Sequence, residues 1–213
     1  MDNSSILNRI DHTLLRPTCT WEEIKSLCTE AITNKMASVC VPPSYVARIR
    51  DEFGSVITIC TVIGFPLGYN TTATKVEETR QAILDGADEI DMVVNLGDVK
   101  NGDFPKVTKE IASVKEVTGS LTLKVIVECC YLDEAEKIAL CRCVTQGGAD
   151  YIKTSTGFGT GGATLEDVEL FKKHIGENVK IKAAGGVRTL ADFESFIAAG
   201  CDRIGASSGN ILF

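Results

Sequence analysis

The sequence predicts a closed (β/α)8 barrel, the TIM-barrel class of α/β fold, built as one domain over residues 1–213. Three observations point there. Short runs rich in β-branched residues alternate with helix-capping signals along the chain, the pattern of strands joined by crossover helices and hence of a parallel sheet. Eight such runs in 213 residues match a closed barrel better than an open doubly wound sheet. A short internal repeat adds weight: Gly86-Ala87-Asp88-Glu89-Ile90-Asp91, Gly148-Ala149-Asp150-Tyr151-Ile152-Lys153 and Gly200-Cys201-Asp202-Arg203-Ile204-Gly205 spell the same helix end, turn and strand start.

The elements follow in order. A first strand is expected over 10–14. Thr20 with Glu23 forms a capping box that opens the first long helix, with Trp21 as its packing anchor. After a strand over 37–42, Ser44 is expected to cap a helix that Gly54 closes. The strand over 57–63 leads to a helix ending at Gly86, and the strand over 89–95 to one that starts at Asp103 before Phe104-Pro105 and stops at Gly119. A strand over 123–128 precedes a helix from Asp133 to Gly147, and one over 151–155 precedes a helix from Thr164, with Asp167, to Gly176. The strand over 180–184, a helix from Thr189, with Asp192, to Gly200, and a strand over 203–206 complete the set.

Composition narrows the partners. A net charge of −7 disfavours nucleic acid and anionic membrane surfaces, which are bound through clustered Lys and Arg. No apolar run reaches the roughly 18 residues of a membrane span, and the start M-D-N-S-S lacks the basic and apolar regions of a signal peptide, so a cytoplasmic protein is expected. The nine cysteines contain no C-x-x-C pair, and His12 and His174 are the sole imidazoles; reduced thiols are expected, with no metal site. Adjacent residues of a strand point apart, so Cys129 and Cys130 are not a redox pair.

Alternation within the strands locates the chemistry. Ile90, Met92 and Val94 share one face and Asp91, Val93 and Asn95 the other; Leu123, Val125 and Val127 oppose Lys124, Ile126 and Glu128. Helices cover the outside of a barrel, so the apolar register packs outward and the polar register faces the axis. Asp11, Thr13, Ser38, Cys40, Asp91, Lys124, Glu128, Lys153 and Lys182 then converge inside, while His12 faces outward in a packing role. His174 is a solvated helix-end residue.

Buried lysines in a neighbouring pair are costly unless paired or neutralised. Like-charge repulsion and desolvation lower the pKa of one of the two, which makes it a nucleophile able to form an imine with a carbonyl, and Asp91 can move the protons. The same groups would also serve as a structural ion-pair network, and the pattern does not choose between Lys153 and Lys182. Glycine-rich turns follow three successive late strands: Gly157, Gly159, Gly161 and Gly162; Gly185 and Gly186; and Gly205 to Gly209. Late barrel strands often hold a phosphate through such backbone N–H groups, and Arg188 adds a charge. A Schiff-base aldolase acting on a phosphorylated sugar results, with a transaldolase-like enzyme or a metabolite-sensing barrel as alternatives.

Long motifs carry a resemblance over essentially the whole chain: Asp11-His12-Thr13-Leu14-Leu15, Ser38-Val39-Cys40-Val41, Val62-Ile63-Gly64-Phe65-Pro66-Leu67-Gly68, Glu89 to Asn95, Lys153-Thr154-Ser155-Thr156-Gly157 and Lys182 to Arg188. The chain resembles the deoxyribose-phosphate aldolases. The resemblance implies a cofactor-free class I aldolase that reversibly cleaves 2-deoxy-D-ribose 5-phosphate to D-glyceraldehyde 3-phosphate and acetaldehyde in deoxyribonucleoside catabolism. It makes Lys153 the Schiff-base residue, Lys182 its pKa-lowering partner and proton carrier, and Asp91 the proton donor or acceptor, with Lys124 supporting the acid and Asp11 and Cys40 lining the pocket. It maps the phosphate site to Thr156, Gly157, Gly185, Gly186, Arg188, Ser207 and Ser208. A homodimer or homotetramer is expected, since barrels of this kind commonly form them. Phe158 stands where longer bacterial members have a lysine near the phosphate, and the chain ends at Phe213 without their C-terminal tyrosine.

Overall fold

The computed structural model describes residues 3–207, so Ser208 and the rest of the last predicted turn lie outside the described residues. Eight parallel strands close a barrel in sequence order: β1 (Ile10–Thr13), β2 (Ser38–Val41), β3 (Ile59–Ile63), β4 (Glu89–Val93), β5 (Thr122–Ile126), β6 (Tyr151–Lys153), β7 (Lys180–Ala184) and β8 (Arg203–Ser207). The predicted fold class is the observed one. β8 returns to pair with β1, with Thr13 opposite Ser207.

Helices surround the strands: α1 (Asn3–Leu7), α2 (Trp21–Thr33), α3 (Val46–Phe53), α4 (Thr72–Leu84), α5 (Leu96–Lys100), α6 (Phe104–Thr118), α7 (Glu134–Gln146), α8 (Leu165–His174) and α9 (Leu190–Ala199). The caps at Thr20, Asp103, Asp133, Thr164 and Thr189 all accept the predicted backbone N–H bonds. The outward strand residues Ile90, Met92, Leu123, Val125, Ile152 and Ile204 are fully buried against these helices and form one continuous core with them. His12 belongs to this outer layer: its Nε2 lies 3.0 Å from Glu30 Oε2 on α2. Trp21 stacks on Tyr45 with the Arg48 guanidinium 4.0 Å above its ring.

Several boundaries differ from expectation, each for a local reason. Ser44 does not cap α3; Pro42 is extended and Pro43 starts a 3-10 turn, Pro43–Tyr45, so α3 begins from Tyr45 without a side-chain cap. Asn95 does not extend β4 but caps α5, accepting from Gly97 N at 3.0 Å. Thr71 caps α4. Gly147 stays right-handed with φ −72°, leaving the left-handed turn to Gly148, and Gly176 lies one residue beyond the α8 cap Ile175.

A buried ion pair behind β3 and β4 leaves no signal in the residue pattern. Lys75 on α4 is fully buried and donates to Glu110 Oε2 on α6 and to Val93 O, each at 2.8 Å. Removing one partner of a buried pair strands the other charge, at a cost of about 3–5 kcal/mol. Glu110→Leu is therefore expected to lower the thermal midpoint by roughly 10 °C, and adding Lys75→Met to restore most of it. A double variant no more stable than the single would contradict this account.

Candidate active site

The repeat units set the barrel interior in layers, as alternate strands contribute residues at one height. Ser38, Glu89, Tyr151 and Arg203 hold the lowest of these positions in even strands. Asp11, Cys60, Lys124 and Lys182 come next from odd strands, and Cys40, Asp91, Lys153 and Gly205 lie above them, as the strand register requires. A barrel interior is ordinarily filled by branched apolar side chains; here it is ionic.

Asp91 is the hub. Its Oδ1 accepts from Lys124 Nζ at 2.8 Å and lies 3.1 Å from Cys60 Sγ. Its Oδ2 accepts from Lys153 Nζ at 2.8 Å and Lys182 Nζ at 2.7 Å. Asp11 Oδ2 lies 2.5 Å from Lys182 Nζ and 3.7 Å from Lys124 Nζ, while its Oδ1 accepts from Arg203. Glu89, which sequence reasoning did not single out, pairs with Lys124 at 2.6 Å and with Arg203 at 3.2 Å.

Opposed forces set the charge states. Burial pushes the Asp91 carboxyl up, but Lys124, Lys153 and Lys182 outweigh it and hold the group well below the usual carboxylate range. Burial likewise pushes Asp11 up, and Lys182, Lys124 and Arg203 bring it down. For Lys182, burial pulls the pKa down and Asp11 with Asp91 drives it above the ordinary lysine value. Lys124 is raised in the same way by Asp91, Cys60, Asp11 and Glu89. Both lysines are thus fixed ammonium ions. Burial pushes the Cys28, Cys141 and Cys201 thiols up to about 12, and all nine cysteines are free.

Donor atoms of Cys40, Cys60 and Asp91, and of Asp11, Cys60 and Glu89, lie within 4.8 Å of one another, the spacing of metal ligands. The Lys124 ammonium already reaches Glu89, Asp91 and Cys60, so the positive charge such groups call for is present as a side chain.

Above the ionic layers opens a cavity of about 490 Å³. Lys153, 3% exposed, reaches it from below. Thr156, Gly157, Gly185, Gly186, Arg188 and Ser207 all line it, so the described members of the predicted phosphate site come together. Asp11 and Cys40, expected to line the pocket, do not: Thr13 takes the rim position two residues along from Asp11, and Leu15 and Phe65 pack over the Cys40, Cys60 and Val62 cluster. Glu128 is committed to the β6 loop, bonding Thr156 N at 3.0 Å and the Thr156 hydroxyl. Of the predicted glycine turn, Gly162 has a packing role, since a Cβ there would sit 2.2 Å from Gly185 O. Gly186 has φ +79° and a Cβ on it would meet open space.

Comparison with known proteins decides the family. The DeoC/LacD family aldolase model matches residues 5–212. The chain belongs to this aldolase family. It is 61% identical over 207 residues to the deoxyribose-phosphate aldolase of Clostridium botulinum (strain Alaska E43 / Type E3), covering 97% of this chain and 94% of the relative. Identity to the enzyme of that name from Clostridioides difficile (strain 630) is 60% over 203 residues, covering 95% and 93%. Among solved structures, the tetrameric deoxyribose phosphate aldolase from Aeropyrum pernix superposes with a TM-score of 0.91 at 30% identity, covering 97% of this chain and 88% of that one. As an aldolase of the DeoC/LacD family, the chain opens its cavity at the C-terminal ends of the strands, where barrel enzymes carry their chemistry, with the ionic hub in the barrel interior beneath it.

Proposed function

We propose that the protein reversibly cleaves 2-deoxy-D-ribose 5-phosphate into D-glyceraldehyde 3-phosphate and acetaldehyde, through an imine on Lys153. One observation carries the choice of lysine. In the barrel interior below the mouth, the carboxylates of Asp11, Glu89 and Asp91 are matched by Lys124, Lys182 and Arg203. Lys153 is the amine beyond this balance, and it is the lysine that meets the cavity. Lys182, held as a cation by Asp11 and Asp91, is the charged partner of Lys153 rather than the nucleophile.

The amine of Lys153 attacks the aldehyde carbon C1 of the open-chain sugar, and the carbinolamine loses water to give an iminium ion. With the C3 hydroxyl deprotonated, the C2–C3 bond breaks and its electron pair passes into the iminium. Glyceraldehyde 3-phosphate leaves with C3 to C5. The remaining enamine takes a proton at C2, and water releases acetaldehyde and restores the amine. Asp91 Oδ2, shared by Lys153 and Lys182, provides the proton path, directly or through a water. The iminium is the electron sink, so the scheme calls for no cofactor.

In this reading the phosphate sits at Gly185, Gly186, Arg188 and Ser207, with Thr156 and Gly157 beside it; all six line the cavity, and glycine turns offer backbone N–H groups to an anion while Arg188 adds a charge. Ser208 follows directly on β8 in the same proposal. The names of the relatives support the substrate, and the Aeropyrum pernix tetramer supports a homo-oligomer; a cytoplasmic location fits a free metabolite as substrate.

Purified protein given deoxyribose 5-phosphate is expected to release acetaldehyde, read by a coupled alcohol dehydrogenase assay. Gly186→Asp, whose carboxylate would enter the open cavity, is expected to raise KM for this substrate far more than for unphosphorylated deoxyribose. No acetaldehyde from the wild type would overturn the function, and an equal loss on both sugars would remove the phosphate from this turn.

A further inference from the structure

Around the barrel, β8 lies between β7 and β1. Its last described residue, Ser207, therefore stands between two loops, and each loop brings an arginine to the cavity: Arg188 after β7 and Arg16 after β1. Among the described residues these two and Lys153 are the cations lining the cavity. On the loop after β6, Phe158 also lines the cavity and packs edge-on against Phe65 at 5.3 Å.

Arg16 is held by little. Its guanidinium bonds Glu23 Oε1, with both side chains about half exposed. Exposed pairs of this kind contribute about 0–1 kcal/mol. Glu23 does not need the arginine to keep its place. Its other oxygen, Oε2, closes the α2 capping box by accepting from Thr20 N at 2.8 Å and Thr20 Oγ1 at 3.1 Å. The Arg16 backbone is fixed by Cys19 N bonding Arg16 O at 3.2 Å across Pro17, so a change of partner involves the side chain alone. A sugar phosphate carries nearly two negative charges at neutral pH and accepts both prongs of a guanidinium.

We propose that Arg16 is a specificity-determining residue that exchanges Glu23 for the substrate's phosphate, completing with Arg188 a two-sided clamp over the end of β8. This rests on the phosphosugar reading above. The clamp supplies from the β1 loop a cation that the Phe158 flank lacks.

A double-mutant cycle on Arg16→Gln and Glu23→Gln tests it; glutamine at position 23 retains capping-box chemistry. Arg16→Gln is expected to raise KM for deoxyribose 5-phosphate about tenfold, the scale of one lost charge-assisted contact, with kcat little changed and a much smaller effect on unphosphorylated deoxyribose. Arg16→Lys should recover part of the loss. Glu23→Gln should lower KM for the phosphorylated sugar, and the double variant should match Arg16→Gln. An equal loss on both sugars, no loss on either, or a Glu23→Gln variant with unchanged KM would overturn the exchange. Calorimetric titration of inorganic phosphate separates this from the reaction: if the wild type cleaves nothing, weaker phosphate binding by Arg16→Gln than by the wild type would keep the clamp and discard the substrate, whereas equal binding by both proteins would discard the clamp.

Discussion

Lys153→Met is expected to fold and to lose turnover, with kcat falling by about 10⁴-fold or more, the scale seen when a covalent nucleophile is removed. Methionine keeps much of the apolar stem while deleting the amine. Because the remaining interior charges still pair Asp11, Glu89 and Asp91 with Lys124, Lys182 and Arg203, the thermal midpoint should stay near that of the wild type. Substantial residual cleavage by a stable Lys153→Met protein would contradict the assignment.

Asp91→Asn has the opposite profile in stability and a similar one in activity. The carboxylate neutralises Lys124 and Lys182, both fully buried, and bonds Lys153. Its replacement leaves an excess of buried ammonium charge, a destabilisation of about 3–5 kcal/mol that should lower the midpoint by roughly 10 °C. Activity should fall too, since the shared oxygen between Lys153 and Lys182 becomes an uncharged amide. Combining Asp91→Asn with Lys124→Met restores the charge balance and should return stability without returning turnover. Melting curves and acetaldehyde release on the three variants check both halves, and a double variant that regains activity would reduce Asp91 to a structural counter-ion.

The pH range over which this charge pattern holds follows from the shifts. Asp11 and Asp91 have depressed native values, so their contribution is present above about pH 4 and is lost as pH falls through those lower values. Lys124 and Lys182 have raised native values, so theirs is present below about pH 10 and is lost as pH rises through the higher ones. The fixed charges therefore persist across the neutral range.

Much of this site was legible from strand alternation, because in a barrel one face must meet the helices and the other the axis. Asp91, Lys124, Lys153 and Lys182 converge as that argument requires. The repeat held more than was read from it: Glu89, Tyr151 and Arg203 occupy one place in its three copies and form one layer, with Arg203 between Glu89 and the Tyr151 ring. Charged residues at strand starts ordinarily face water, so their burial follows from barrel closure rather than from local pattern. Lys75 was invisible for a related reason, since a lysine on an amphipathic helix reads as solvated until α6 is placed beside α4. Asn95 fitted the alternation of β4, yet its side chain serves the next helix, a competition that strand periodicity does not resolve.

The imine itself is the most direct test. Protein incubated with acetaldehyde and reduced with borohydride should gain one ethyl group, and peptide mass mapping should place it on Lys153. An ethyl group on Lys182 or Lys124 with Lys153 untouched, or no adduct in protein that still cleaves the sugar, would contradict the account.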